Sequence, residues 1–373
     1  MWIYLVLLFF IVVYSIVGDV NRNNFRKKTF VIISFGLYTV ISMLRKYTVG
    51  IDMELIYNPV FESARLLSFS NLNKINIEIG FVFFNKILSL ISSDVQVLII
   101  VSSLIIYPIY GWFIYKNSKN VCVSTLLFMT TGIFLMEMNV VRQALAIAVI
   151  MIMYEKLKQN KLFESVILII LASFIHASAI ILLFCIPLRN CKFKRSYFIS
   201  VFIILAVLMI FINPIINLYS NISSTLGLSN NKEYSTYLES EQFGVGYINL
   251  SSIADVIYGF YIFVLGYYIL NIKEKDGDKE NTNEYDYFLF MSVFYFVFQV
   301  LSLKMYVVSR LTLYFIPYTY IMFPEILMKM KNKRNAQFIE FITIAILIVK
   351  YILVLEYRAE MWYGVVPYKF FWN

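Results

Sequence analysis

At 373 residues, 60% hydrophobic and 18% aromatic, with only 15% charged, the chain carries too little charge for a soluble domain of this size. It reads as an all-α polytopic membrane protein. The apolar runs are continuous over roughly 15 to 25 residues instead of alternating, which argues against a β-barrel. The net charge of +9 is not a nucleic-acid footprint, because most Lys and Arg lie in short clusters between apolar runs, as cytoplasmic loops require.

In chain order, the runs predict membrane segments near 2–18, 29–44, 95–115, 121–137, 140–154, 196–216, 248–271, 286–302, 306–327 and 337–355. The first lacks a basic leader and a small-residue cleavage site, so it is expected to be a span and not a removed signal peptide. The stretch 162–188 can be one long helix or two short ones of about 13 and 12 residues meeting at His176. Charge favours the break. It places on one side the basic clusters that begin at Arg22, Lys116, Lys156, Arg189, Lys273 and Lys329, which hold 20 of the 32 Lys and Arg, in keeping with the positive-inside bias. The result is about twelve segments, some short or broken, with both termini outside. The turn around Glu137–Asn139 then lies on the outer side, and residues 79–93 form an outer re-entrant or interfacial helix. The chain is treated as a single membrane domain over 1–373, with outer loops at 45–94 and 217–247, a cytoplasmic loop at 272–285 and an outer tail at 356–373. Cys122, Cys185 and Cys191 all fall on the cytoplasmic side, so no disulfide is expected. One histidine and no cysteine pair predict no zinc site, and no cofactor is expected.

Three residues are costly in an apolar setting: Arg142, the lone His176 and Arg310. An arginine near the bilayer interior costs at least roughly 2.5–3.5 kcal/mol on insertion scales, so it normally faces a cavity and has a partner. Two arginines from distant segments suit a diphosphate, which planar guanidinium binds in bidentate fashion. The alternative is that each pairs with a buried carboxylate, such as Glu137, or with carbonyls at a helix break. His176 titrates near neutrality and can accept a hydroxyl proton, or it is a packing residue. In the outer loop, Arg45 and Lys46 close a span, and Asp52 and Glu54 follow two residues apart. These carboxylates hold a cation or a sugar hydroxyl, or form a solvated turn beside snorkelling cations. Glu78 reads as an N-terminal helix charge. Tyr57, Gln143, Ser178 and Tyr314 are further hydrogen-bond donors around such a site. One base and several cations without a metal cluster fit glycosyl transfer from a lipid diphosphate, where neutralising the leaving group replaces a general acid.

The segments Arg45…Val49-Gly50-Ile51-Asp52…Tyr57, Glu78-Ile79-Gly80-Phe81, Asn139-Val140-Val141-Arg142-Gln143-Ala144-Leu145-Ala146, Phe174-Ile175-His176-Ala177-Ser178-Ala179, Arg310…Tyr314 and Pro367-Tyr368 follow one another along nearly the whole chain. In them the sequence resembles the EpsG-like branch of the Wzy-type bacterial polysaccharide polymerases. The resemblance implies a glycosyltransferase that polymerises undecaprenyl-diphosphate-linked oligosaccharide repeat units at the outer face of the cytoplasmic membrane. In that picture Arg142, Arg310 and Arg45 hold the diphosphate, and His176 or Asp52 activates the acceptor hydroxyl. Glu78, Tyr57, Gln143, Ser178 and Tyr314 contact sugar or support the site. A chain-length regulator or another polysaccharide-assembly protein is a candidate partner. Two competing readings remain. A lipid-linked oligosaccharide flippase needs a polar path to both faces, and a membrane-bound acyltransferase needs one from the inner side to His176.

Overall fold

The computed structural model describes residues 1–225, 248–276 and 282–372. It is helical throughout, and the described residues pair as strands only at one isolated bridge, between Arg45 and Phe370. They form two compact units, one of residues 1–186 and 330–373, the other of 187–329. Among them, four helices are long and apolar enough to cross a membrane, or five if one bent pair counts as a single span. Several shorter apolar helices accompany them.

The first unit contains α1 (Trp2–Val17), α2 (Asn24–Met43), α3 (Asn58–Leu66), α4 (Ile79–Ser89), α5 (Gln96–Asn117), α6 (Val121–Thr130), α7 (Ile133–Asn139), α8 (Val141–Lys158) and α9 (Leu162–Ile175). The second contributes α10 (Arg195–Thr225), α11 (Leu250–Asp276), α12 (Thr282–Ser302), α13 (Ser309–Thr312) and α14 (Ile316–Lys329). The chain then returns to the first unit as α15 (Lys333–Tyr357). The outer loop expected at 217–247 lies mostly outside the described residues, as does the middle of the loop expected at 272–285, which is bracketed by Asp276 and Thr282.

Side-chain caps start the helices that leave polar turns. Asn23 accepts from the Arg26 amide at α2, and Asn120 accepts from the Cys122 and Val123 amides at α6. These bonds satisfy donors that a helix N-terminus otherwise leaves open. All ten residues of α6 are buried, so it is the central helix of its unit. Around it Tyr38, Tyr107 and Tyr110 pack with Phe128, and Tyr4 packs edge-on with Phe134. Between lipid-soluble helices such packing, and not the hydrophobic effect, holds the bundle.

In the second unit the run 306–327, expected as one segment, is divided into a 3₁₀ turn at Tyr306–Val308, α13 and α14. In the first unit two breaks depart from straight spans. The run 121–137, expected as one segment, bends by 54° between α6 and α7, at Gly132, whose φ of 87° glycine adopts readily. The turn before Arg142 falls at Val140. It was expected at Glu137–Asn139, but Glu137 is buried inside α7 beside Tyr107 and Tyr110. The second break is the expected one. α9 ends at Ile175, His176 is extended (φ −149°, ψ 110°), and a 3₁₀ helix runs from Ala177 to Cys185.

The first unit sorts its loops to two ends. At one, the Tyr4 hydroxyl donates to Val365 O (2.9 Å), Tyr368 donates to Ile41 O (2.7 Å), and the Lys46 amide donates to Lys369 O (2.9 Å). At the other, Asn21 donates to Asn120 (2.9 Å), Lys116 pairs with Glu155 (3.5 Å), and Lys156 pairs with Glu164 (2.6 Å). The three loops of this unit that carry basic clusters, those at Arg22, Lys116 and Lys156, therefore meet in space.

Candidate functional site

Residue 78 stands where the loop that follows α3 turns into α4. Its carbonyl accepts from the amides of Phe81 (3.0 Å) and Val82 (3.1 Å), opening the helix. The carboxylate turns instead toward the starts of two other elements. Oε2 accepts from Arg142 Nη1 at 2.5 Å, in the first turn of α8. Oε1 accepts from the Ala177 amide at 2.9 Å and lies 3.3 Å from His176 Nδ1, at the start of the 3₁₀ helix. One carboxylate thus joins the arginine and the histidine, from segments 64 and 98 residues away.

Each of the three is positioned by its backbone. Arg142 follows the break at Val140, whose amide still bonds to Met136 O (2.9 Å). His176 is fixed on both sides, its amide donating to Ala172 O (2.8 Å) and its carbonyl accepting from Ala179 (3.0 Å). Gly80 lets α4 approach α9, since a Cβ there would stand 2.6 Å from the carbonyl oxygen of Phe174.

The cluster is largely enclosed: side-chain exposure is 17% for Arg142, 21% for Glu78 and 9% for His176. Burial acts to raise the Glu78 pKa, but the His176 hydrogen bond, the Arg142 charge and the Ala177 amide outweigh it and hold the carboxyl at about 2. Glu78 therefore stays ionised at any physiological pH and pairs with Arg142 through Nη1 alone. The guanidinium keeps capacity, because its Nε is buried and has no hydrogen-bond partner among the described residues. A histidine that donates from Nδ1 to a carboxylate carries its lone pair on Nε2, which is the arrangement of a general base.

The other sequence candidates sit as follows. Arg45 is 1% exposed; its Nη1 donates to Ser42 O (2.9 Å) and to the Ser42 hydroxyl, and its Nη2 donates to Met138 O (3.0 Å), tying the end of α2 to α7. Asp52 and Glu54 diverge, the first buried and the second exposed. The Asp52 amide donates to Asn139 Oδ1 at 2.7 Å, fastening the loop between α2 and α3 three residues ahead of Arg142. Tyr57 is buried and meets Phe81 of α4 edge-on at 5.3 Å, behind Glu78. Gln143 is buried beside Arg142, and Ser178 is half-buried two residues past His176. Arg310, half-buried in α13, and Tyr314, fully buried, belong to the second unit.

Sequence reasoning underrated two residues. Its own sequence setting makes Glu78 a helix-end charge, and the family resemblance makes it a sugar contact or support, but neither makes it the partner of Arg142. The alternative of a buried carboxylate for Arg142 holds, with Glu78 in the place of the example, Glu137. Asn139 escaped notice as a loop anchor. The available signal for Glu78 was a carboxylate directly before an apolar helix, in a chain whose buried cations needed one.

The family model described as the EpsG family matches residues 28–370. The chain belongs to the EpsG family. No curated protein and no solved structure matches it. EpsG membership gives the chain a polysaccharide-polymerase role in broad terms, consistent with a glycosyltransferase-like activity on a lipid-linked oligosaccharide in a membrane. The Glu78–Arg142–His176 cluster lies inside the matched region of this EpsG protein.

Proposed function

We propose that this EpsG-family chain polymerises undecaprenyl-diphosphate-linked oligosaccharide repeat units into a surface polysaccharide, by glycosyl transfer at the outer face of the cytoplasmic membrane. The observation that carries the reading is the joining of Arg142 and His176 through Glu78. In the reaction, the bond between the donor sugar's anomeric carbon and the lipid diphosphate breaks. The acceptor hydroxyl oxygen takes its place, and its proton passes to His176 Nε2. Arg142 neutralises the charge gathering on the departing diphosphate, so no general acid is needed there. Glu78 holds the imidazole in the tautomer that accepts the proton and stabilises the imidazolium that results.

The outward orientation is supported by the grouping of the basic clusters at the end of the first unit away from Arg45 and Met138, and by the positive-inside bias. Within this topology α4, with 11 residues, is too short to span and acts as an outer re-entrant or interfacial helix. Arg45 serves to position the loop, because its Nη1 and Nη2 donate to Ser42 O, the Ser42 hydroxyl and Met138 O. Arg310 is proposed as a second diphosphate ligand on its sequence setting alone.

The test uses purified protein and lipid-diphosphate repeat units from its host, with product length read on a gel. A ladder of lengthening lipid-linked glycans is expected. No ladder, with substrate crossing a vesicle bilayer instead, would replace polymerisation by transport.

A further inference from the structure

Directly beside the polar cluster lies a cavity of about 300 Å³ with almost wholly apolar walls. Its lining includes Phe84 and Ile87 of α4, Ile105 of α5, Leu145 and Val149 of α8, and Ile175 of α9. Three of these four segments are the ones that supply the cluster. Leu145 and Val149 stand three and seven residues after Arg142, on the same face of α8. Ile175 immediately precedes His176. Gly80 of the lining is two residues past Glu78, and its close approach to Phe174 brings α4 to the end of α9. Phe83, another wall residue, is 48% exposed and Ile87 is 42% exposed, so apolar surface continues outward from the cavity.

From this continuity we infer that the cavity holds the first isoprene units of a polyprenyl diphosphate, whose head group is taken by Arg142. This inference rests on the polymerase reading and extends it. A ligand with an anionic head directly joined to a hydrocarbon chain matches a cation at one end of a helix face and an apolar slot along the next two turns. A sugar would leave its hydroxyls without partners on these walls, and inorganic phosphate would leave the slot empty. The buried Arg142 Nε, which has no hydrogen-bond partner among the described residues, is a donor available to the head group.

The experiment measures equilibrium binding of two soluble probes, geranyl diphosphate and inorganic diphosphate, to the detergent-purified full chain. Wild type should bind geranyl diphosphate at least about ten-fold tighter, the effect of burying as few as two methylene groups. Val149→Trp, which fills the slot from α8, should bind both probes equally while keeping wild-type affinity for inorganic diphosphate. Ile105→Trp, which fills it from α5, is the second variant in case the first does not fold. Equal affinity of wild type for the two probes, binding of neither, or an undiminished preference in both filled variants overturns the inference. The polymerase reading fails separately, through absence of a glycan ladder from wild type, and a persisting geranyl preference would then still establish the lipid slot.

Discussion

Replacing Glu78 by Gln tests whether the cluster acts as one unit. The amide keeps the shape, and its oxygen can still accept from the Ala177 amide, but the charge facing Arg142 is gone. Breaking an exposed ion pair costs about 0–1 kcal/mol, and removing one partner of a buried pair costs about 3–5 kcal/mol. With side chains 17% and 21% exposed, this pair falls between, at about 2 kcal/mol. If that loss is felt at the transition state, polymer synthesis falls roughly 30-fold. The assay is the rate of ladder formation per folded molecule for wild type, Glu78→Gln, Arg142→Lys and the double variant. Arg142→Lys keeps the charge and loses the planar fork. Because both single changes break the same contact, the double variant should lose much less than the product of the single losses. A Glu78→Gln rate within about two-fold of wild type, or strictly multiplicative losses, would refute the reasoning.

Four further outcomes follow from the same geometry. His176→Ala should abolish polymer while the protein still inserts and stays folded by gel filtration; a normal ladder returns His176 to a packing role. Arg45→Met should lower the unfolding midpoint, with about 2 kcal/mol lost as Ser42 O and Met138 O lose their donor, yet leave the folded fraction active, and a stable but inactive variant would place Arg45 in the chemistry. Gly80→Ala should depress activity strongly, because its Cβ would stand 2.6 Å from Phe174 O, and wild-type rates would show that α4 and α9 can part at little cost. With Glu78 held at about 2 against an ordinary 4.5, its contribution to stability is present above pH 4.5 and lost as pH falls toward 2. Thermal unfolding should therefore fall more steeply in that window for wild type than for Glu78→Gln, and parallel curves would contradict the pairing.

Parts of this arrangement were legible in the sequence and parts were not, for identifiable reasons. The interruption at His176 was readable because topology is set by where the Lys and Arg clusters can lie, and the helix does end at Ile175. The bend at Gly132 was not, since hydropathy is the same for a straight and a bent apolar run. Arg142 announced itself by its desolvation cost, but that cost says only that a partner exists. Glu137, five residues away, is nearer in sequence than Glu78 and loses because it points from α7 toward Tyr107 and Tyr110 of α5. Long-range pairing of this kind depends on how α4 docks, and Gly80, the residue that permits the docking, carries no charge or hydropathy signal.

The same docking explains why the cluster stands at chain breaks. A continuous helix has already bonded its own amides, whereas the 3₁₀ start after His176 leaves the Ala177 amide open for Glu78. The break before α8 likewise places Arg142 in a first turn, beside the amides that a helix start leaves open. Helix starts also favour a negative charge nearby. Glu78 meets two such starts at once, and a diphosphate approaching Arg142 would meet the same backbone polarity. The short segments, costly as spans, are in this view what gives a buried arginine and a histidine a common partner.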